Sequence, residues 1–253
     1  MTPTTPESAA AAEFLASPNH GERKNGRRPD ALVLHYTGMP STAEALAWLC
    51  NPAAQVSCHY FVWEDGRIVQ LVPEGRRAWH AGQAFWQGER DLNSASIGIE
   101  IANPGHDGGL PEFPQAQIAA VIALCRDITA RFMIPPPRVL AHSDIAPLRK
   151  RDPGEKFPWA RLHQEGVGHY VAPAPIEPNE SAAGTATAPA DVAALQALLA
   201  RYGYEVPTNG VYCAVTEAVV RAFQRHFRAE RVDGIADRST VTTLRALIAA
   251  LPA

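Results

Sequence analysis

Nothing in this chain approaches a run of roughly 18 apolar residues, so the sequence offers no membrane-spanning helix. It also lacks the basic start of a secretory signal. Met1 to Ser8 carries no Lys or Arg, and Ala9 to Ala12 runs straight into Glu13, which makes the cytoplasm the default location. A strong positive balance is missing too: the formal net charge of -3 argues against a protein that coats nucleic acid. The local basic run Arg23 to Arg28 reads as a solvated arm. The four cysteines, Cys50, Cys58, Cys125 and Cys213, form no close CxxC pair, so reduced, buried thiols are expected rather than disulfides or metal ligands. What is present is a 253-residue chain with 46% hydrophobic side chains, enough for one large domain or two modest ones.

The pattern divides the chain into four parts. Residues 1–29, rich in Pro, Ala and charge without periodicity, read as an N-terminal arm that is mobile or wrapped on the surface, with the folded part starting near Asp30. Residues 30–170 alternate short apolar runs with helical ones, residues 171–190 form an Ala/Pro-rich linker, and residues 191–253 hold three helical stretches joined at Asn209-Gly210 and Asp233-Gly234. Within the large part, two β-rich runs flank Glu64-Asp65-Gly66 and should pair as a hairpin. Ile118, Val121, Ile122, Cys125, Ile128 and Phe132 recur at helical spacing before Pro135 to Pro137, which predicts an amphipathic helix. The expected fold is α/β, a central mixed β-sheet flanked by helices, with a small three-helix C-terminal domain.

The chemistry concentrates at strand ends. The apolar run Ala31 to Leu34 ends in His35, and Val139 to Ala141 ends in His142; Asp152 follows ten residues later. If the two strands are neighbours, both imidazoles emerge at one sheet edge and the segment containing Pro147 can fold back to add the carboxylate. Two imidazoles and one carboxylate are a ligand set for catalytic zinc, with a fourth position left for water. Ile97, Ile99 and Ile101 alternate with Gly98 and Glu100, so Glu100 should face a cleft if the isoleucines are core. Lys150 lies two residues from Asp152. A metal, a base and a fixed cation together suit hydrolysis. For single residues plainer readings compete: a solvated strand face for Glu100, and a basic loop for Lys150 within Arg149 to Arg151, whose arginines could instead hold substrate carboxylates.

The ordered set His35-Tyr-Thr-Gly38, Val56 to Val62, Ala78-Trp-His-Ala-Gly82, Ser96 to Ile101 and Ala141 to Pro147 with Lys150-Arg-Asp-Pro-Gly154 resembles the zinc-dependent N-acetylmuramoyl-L-alanine amidases of the AmpD and AmiD type, the amidase-2 domain. The resemblance covers about residues 30–170. The C-terminal part, with Leu195 to Tyr204, Val220 to His226 and Val232 to Ala236, resembles a peptidoglycan-binding three-helix domain, although Asn209-Gly210 stands where Asp-Gly is usual. The resemblance implies an amidase/peptidoglycan-recognition-like fold and cleavage of the amide between N-acetylmuramic acid, in its ordinary or 1,6-anhydro form, and L-alanine of the stem peptide. By the same resemblance His35, His142 and Asp152 bind Zn2+, Glu100 is the general base that later protonates the leaving amine, and Lys150 stabilises the oxyanion.

His80 matches the family and lines the cleft or packs beneath it, while Arg90 is a candidate contact to the stem peptide. His59 matches the family without a metal role. His20, His106, His163, His169 and His226 are expected at the surface, and Tyr202, Tyr204 and Phe223 in the core. The expected partner is peptidoglycan or a muropeptide. A recognition protein that binds such fragments without cutting them is the alternative, as is a zinc peptidase cutting within the stem. A wall-binding module in a chain without a visible signal leaves the periplasm, reached by another export route, as the alternative location.

Overall fold

The computed structural model describes residues 5–176 and 189–252, so most of the expected linker lies outside the described residues. Chain order begins with two short strands, β1 (Glu13–Phe14) and β2 (His20–Glu22), followed by β3 (Ala31–Tyr36) and α1 (Thr42–Leu49). Then come β4 (Tyr60–Val62), β5 (Ile68–Gln70), β6 (Arg76–Ala78), α2 (Leu92–Ala95) and β7 (Ser96–Ile101). Next are α3 (Gln115–Phe132), β8 (Val139–Ala141), α4 (His142–Ile145) and α5 (Trp159–Gln164). The C-terminal helices are α6 (Pro189–Tyr202), α7 (Ala214–Phe227) and α8 (Arg238–Ala249).

Six strands form one mixed sheet in the order β1-β5-β4-β7-β3-β8, and β2 pairs with β6 apart from it. The hairpin expected around Gly66 is the antiparallel β4–β5 pair. β7, β3 and β8 run parallel, so their C-terminal ends meet at one edge, the usual place for a site in an open α/β sheet. Register makes this specific. His35 lies directly opposite Glu100, and Leu34 opposite Ala141, which puts His142 beside His35 at the next position.

One sheet face is sealed by α3, whose Ile118, Val121, Ile122, Cys125 and Ile128 pack on Leu32, Leu34, Ile97, Ile99 and Ile101. The alternation along β7 therefore sends Gly98 and Glu100 to the other face. A second cluster is shared between the catalytic-side elements and the C-terminal helices, joining Trp86, Leu140 and Ile145 to Leu199, Tyr204, Phe223 and Leu247. Tyr202, Tyr204 and Phe223 are buried in it. Gly203 allows this close approach, because a β-carbon there would sit 2.7 Å from the Trp86 ring, and its φ of +147° suits glycine.

The N-terminal segment packs on the fold, the wrapped one of the two alternatives expected of it, and within the basic run read as solvated Lys24 and Arg28 are exposed while Arg23 is not. β1 extends the sheet beyond β5, and Arg23 is buried, donating through Nε to the Glu74 carbonyl and through Nη1 to those of Ser94 and Ser96 at 2.9, 2.8 and 3.0 Å. Burial lowers its pKa to about 10. Arg23 looked solvated because these acceptors are backbone carbonyls more than 50 residues away, which leave no mark in a composition.

Candidate metal centre and cleft

The strand ends bring His35, His142 and Asp152 into one buried cluster. His35 Nδ1 and His142 Nδ1 lie 2.9 Å apart, and each faces Asp152 Oδ2, at 3.0 and 2.8 Å. Hydrogen-bond bookkeeping assigns the protons around this triangle. The Ser96 hydroxyl donates to the Leu92 carbonyl, so it accepts from His80 Nε2–H at 3.3 Å. His80 Nδ1 is then an acceptor, and it takes the His35 Nε2–H at 3.1 Å. His142 Nε2–H donates to the Ala81 carbonyl at 3.2 Å. Both Nδ1 atoms are left with lone pairs directed at each other and at a carboxylate oxygen.

Three acceptors at such distances form a donor set for a cation. Ligands about 2.0–2.1 Å from a tetrahedral zinc are separated from one another by about 3.3 Å, close to the observed triangle, so the donor set fits that ion. Each imidazole also has its second nitrogen tied to a fixed partner, the arrangement that orients a metal-binding histidine. Burial and the neighbouring His142 lower the His35 pKa to about 4, keeping it neutral as a ligand must be.

Glu100 and Lys150 line the same cleft, about 460 Å³ in volume, with Trp48, Val56 and Trp79 on its walls. One Glu100 carboxyl oxygen is buried without a hydrogen-bond partner. Burial, then the nearby Asp152, raises its pKa well above the ordinary value, against a smaller pull from Lys150. A carboxyl raised in this way is suited to moving protons near neutrality. Arg149 is engaged elsewhere, donating to the Ala81 and Gln83 carbonyls, and Arg151 pairs with Asp107.

Of the remaining candidates, His80 stands behind His35 rather than among the ligands, and Asn93 Oδ1 fixes its loop by accepting the His80 and Ala81 N–H groups at 2.9 and 2.8 Å. Arg90 lies in a neighbouring groove, where it pairs with Glu205 of the C-terminal part and sits over the Phe85 ring. Two histidines expected at the surface, His169 and His226, are buried, and His106 bridges Tyr36 and Glu155 at 2.9 Å on each side. Their partners come from distant segments, which a reading of local polarity cannot see. Ser96 and Asn93 were likewise missed as supports; the local signal was that Ser96 opens the Glu100 strand and Asn93 lies in the short helix before it.

Comparison with known proteins follows the same division. Residues 25–155 match the family described as N-acetylmuramoyl-L-alanine amidase, and residues 189–244 match a putative peptidoglycan binding domain. N-acetylmuramoyl-L-alanine amidase AmiD of Escherichia coli is 43% identical over 87% of this chain and 83% of its own length. The solved structure of that enzyme with anhydro-N-acetylmuramic acid-L-Ala-D-gamma-Glu-L-Lys superposes with a TM-score of 0.75 at 42% identity, covering 90% of this chain and 91% of the other. AmpDh3 of Pseudomonas aeruginosa, in complex with anhydromuramic pentapeptide, gives a TM-score of 0.75 at 34% identity, over 91% of this chain and 95% of the other.

Proposed function

Because this chain belongs to the N-acetylmuramoyl-L-alanine amidase family, we propose that His35, His142 and Asp152 hold one zinc ion and that the cleft beside them hydrolyses muropeptides. The scissile bond is the amide between the lactyl group of N-acetylmuramic acid and L-alanine. Substrates carrying the 1,6-anhydro sugar are included, since both relatives named above were solved with anhydromuramic peptides. The observation that carries this reading is the buried triangle of two imidazole nitrogens and one carboxylate oxygen, 2.8–3.0 Å on each side.

When bound, zinc supplies Lewis acidity, which lowers the pKa of water from about 15.7 toward about 7. The chain's own residues do the rest. Glu100 takes a proton from the attacking water and delivers it to the departing amine; its raised pKa suits both steps. Lys150 holds a positive charge where the tetrahedral oxygen becomes negative. His80 and the Ala81 carbonyl keep the two ligand rings in the tautomers that binding requires.

The test is cleavage of a purified anhydro-muropeptide and of its non-anhydro counterpart, with products identified by mass spectrometry. Release of the intact stem peptide, lost on treatment with a chelator and restored by zinc, is expected. Binding without release would favour the recognition protein, and cuts between stem residues the peptidase; either outcome sinks the proposal.

A further inference from the structure

The carboxyl of Asp144 is enclosed two residues beyond His142, within α4, and its side chain has no exposed surface. It has three donors. Ala141 N–H reaches Oδ2 at 2.8 Å, His226 Nδ1 reaches the same oxygen at 2.7 Å, and the Tyr204 hydroxyl donates to Oδ1 at 2.8 Å. Two of the three therefore come from the C-terminal part, Tyr204 just after α6 and His226 within α7. Each is itself held. The His226 ring is stacked between Trp159 and Phe227, with centroids 3.7 and 3.8 Å away, and Tyr204 meets the Trp86 ring edge to face at 4.9 Å.

We propose that the C-terminal helical module is a positioning element of the metal centre, which it holds through the grip of Tyr204 and His226 on Asp144. The inference rests on the zinc reading above. α4 spans four residues, with His142 at the metal cluster and Asp144 and Ile145 in contact with the module. A buried carboxyl that loses its donors is strongly disfavoured and turns toward water. In so short a segment that movement carries His142 with it, away from Asp152 and from the Ala81 carbonyl. A second line of contacts reaches the other ligand strand: Arg225 faces Glu155 at 3.9 Å, Glu155 accepts from His106, and His106 meets Tyr36, the neighbour of His35. A module serving only to attach the enzyme to a polymer needs none of these contacts.

The experiment uses the full chain and a soluble muropeptide too small to be tethered by a polymer-binding surface. Tyr204→Phe keeps the ring that packs on Trp86 and removes only the hydroxyl. Glu205→Gln weakens the exposed Arg90–Glu205 pair across the same junction without touching Asp144. Zinc affinity is read by competition with a chromogenic chelator, kcat and KM are measured separately, and near-ultraviolet circular dichroism checks the fold. Tyr204→Phe is expected to weaken zinc binding by about 10-fold to 100-fold, the usual range for losing an outer partner of a metal ligand. Its kcat should fall while KM holds, and Glu205→Gln should match the wild type.

Wild-type zinc affinity in Tyr204→Phe overturns the proposal, as does an equal loss in Glu205→Gln, which would mean that any loosening of the junction has the same effect. Should Tyr204→Phe fold poorly, His226→Phe removes the module's other donor to Asp144 while keeping a ring between Trp159 and Phe227, and wild-type zinc affinity in that variant refutes the grip. Failure of the zinc reading is separate, since the wild-type chain would then retain no zinc and cleave nothing.

Discussion

A methyl group at position 98 should cost this protein its metal affinity without touching a ligand. Gly98 has an ordinary backbone conformation, but a β-carbon there would lie 2.4 Å from His80 Cγ and 2.6 Å from both Cδ2 and Nδ1. Carbon atoms in contact sit about 3.5–4.0 Å apart, so one side must retreat by about 1 Å. The strand cannot be the one to move. Gly98 N–H donates to His59 Nδ1 and the Gly98 carbonyl accepts the His59 N–H, both at 2.9 Å. His80 must yield instead, and a shift of that size breaks its 3.1 Å bond to His35 Nε2. Overpacking costs about 1–3 kcal/mol of stability, and each kcal/mol lowers Tm by about 2–4 °C in a chain of this size. The loss of the outer partner should weaken zinc binding about 10-fold to 100-fold. Scanning calorimetry of the metal-free Gly98→Ala protein gives the first quantity and chelator competition the second. A variant with lowered Tm but wild-type zinc affinity would refute the chain of bonds from Ser96 through His80 to His35.

Glu100→Gln should lower kcat by about 10²–10⁴ while leaving zinc content intact, since the amide keeps the shape but cannot carry the proton; metal analysis beside a muropeptide assay checks both halves. Lys150→Ala should reduce kcat by about 10²–10³ with little change in thermal stability, and an effect confined to KM would argue against an oxyanion role. Asp91 gives an acid-side prediction: burial would raise its pKa, but the hydrogen bonds from Arg77, Ser94 and Lys24 prevail and bring it down from 3.8 to about 2. Its folded pKa is depressed, so its contribution is present above pH 3.8 and lost as pH falls through about 2. Urea titrations of Asp91→Asn should show a flatter stability curve than the wild type across that window, and parallel curves would contradict the assignment.

Much of the cleft could be read from the sequence because it depends on local periodicity. The alternation of Ile97, Ile99 and Ile101 sets the face on which Glu100 stands, and the apolar runs before His35 and His142 set the edge at which both rings emerge. Residues whose role depends on partners far along the chain were hidden. Arg23 looks like one cation of a basic run until the carbonyls of Glu74, Ser94 and Ser96 surround it. His226 looks polar and peripheral until Trp159, Phe227 and Asp144 enclose it. The same holds for His80, which meets the second nitrogen of the proposed ligand His35. Its motif was visible, but proton assignment needs Ser96 and Leu92 in space.

Residues 5–24 lie outside the stretch that matches the amidase family, yet within them β1 extends the main sheet and β2 pairs with β6. A chain trimmed to begin at residue 25 would keep every proposed ligand and lose the strand that covers β5. The bare edge left behind is a template for pairing with other copies, and the carbonyls gathered around Arg23 would lose their donor just where Asn93 and Ser96 support the proposed metal centre. Aggregation and poor zinc retention in such a shortened protein would therefore report a missing piece of the catalytic domain, and say nothing against its chemistry.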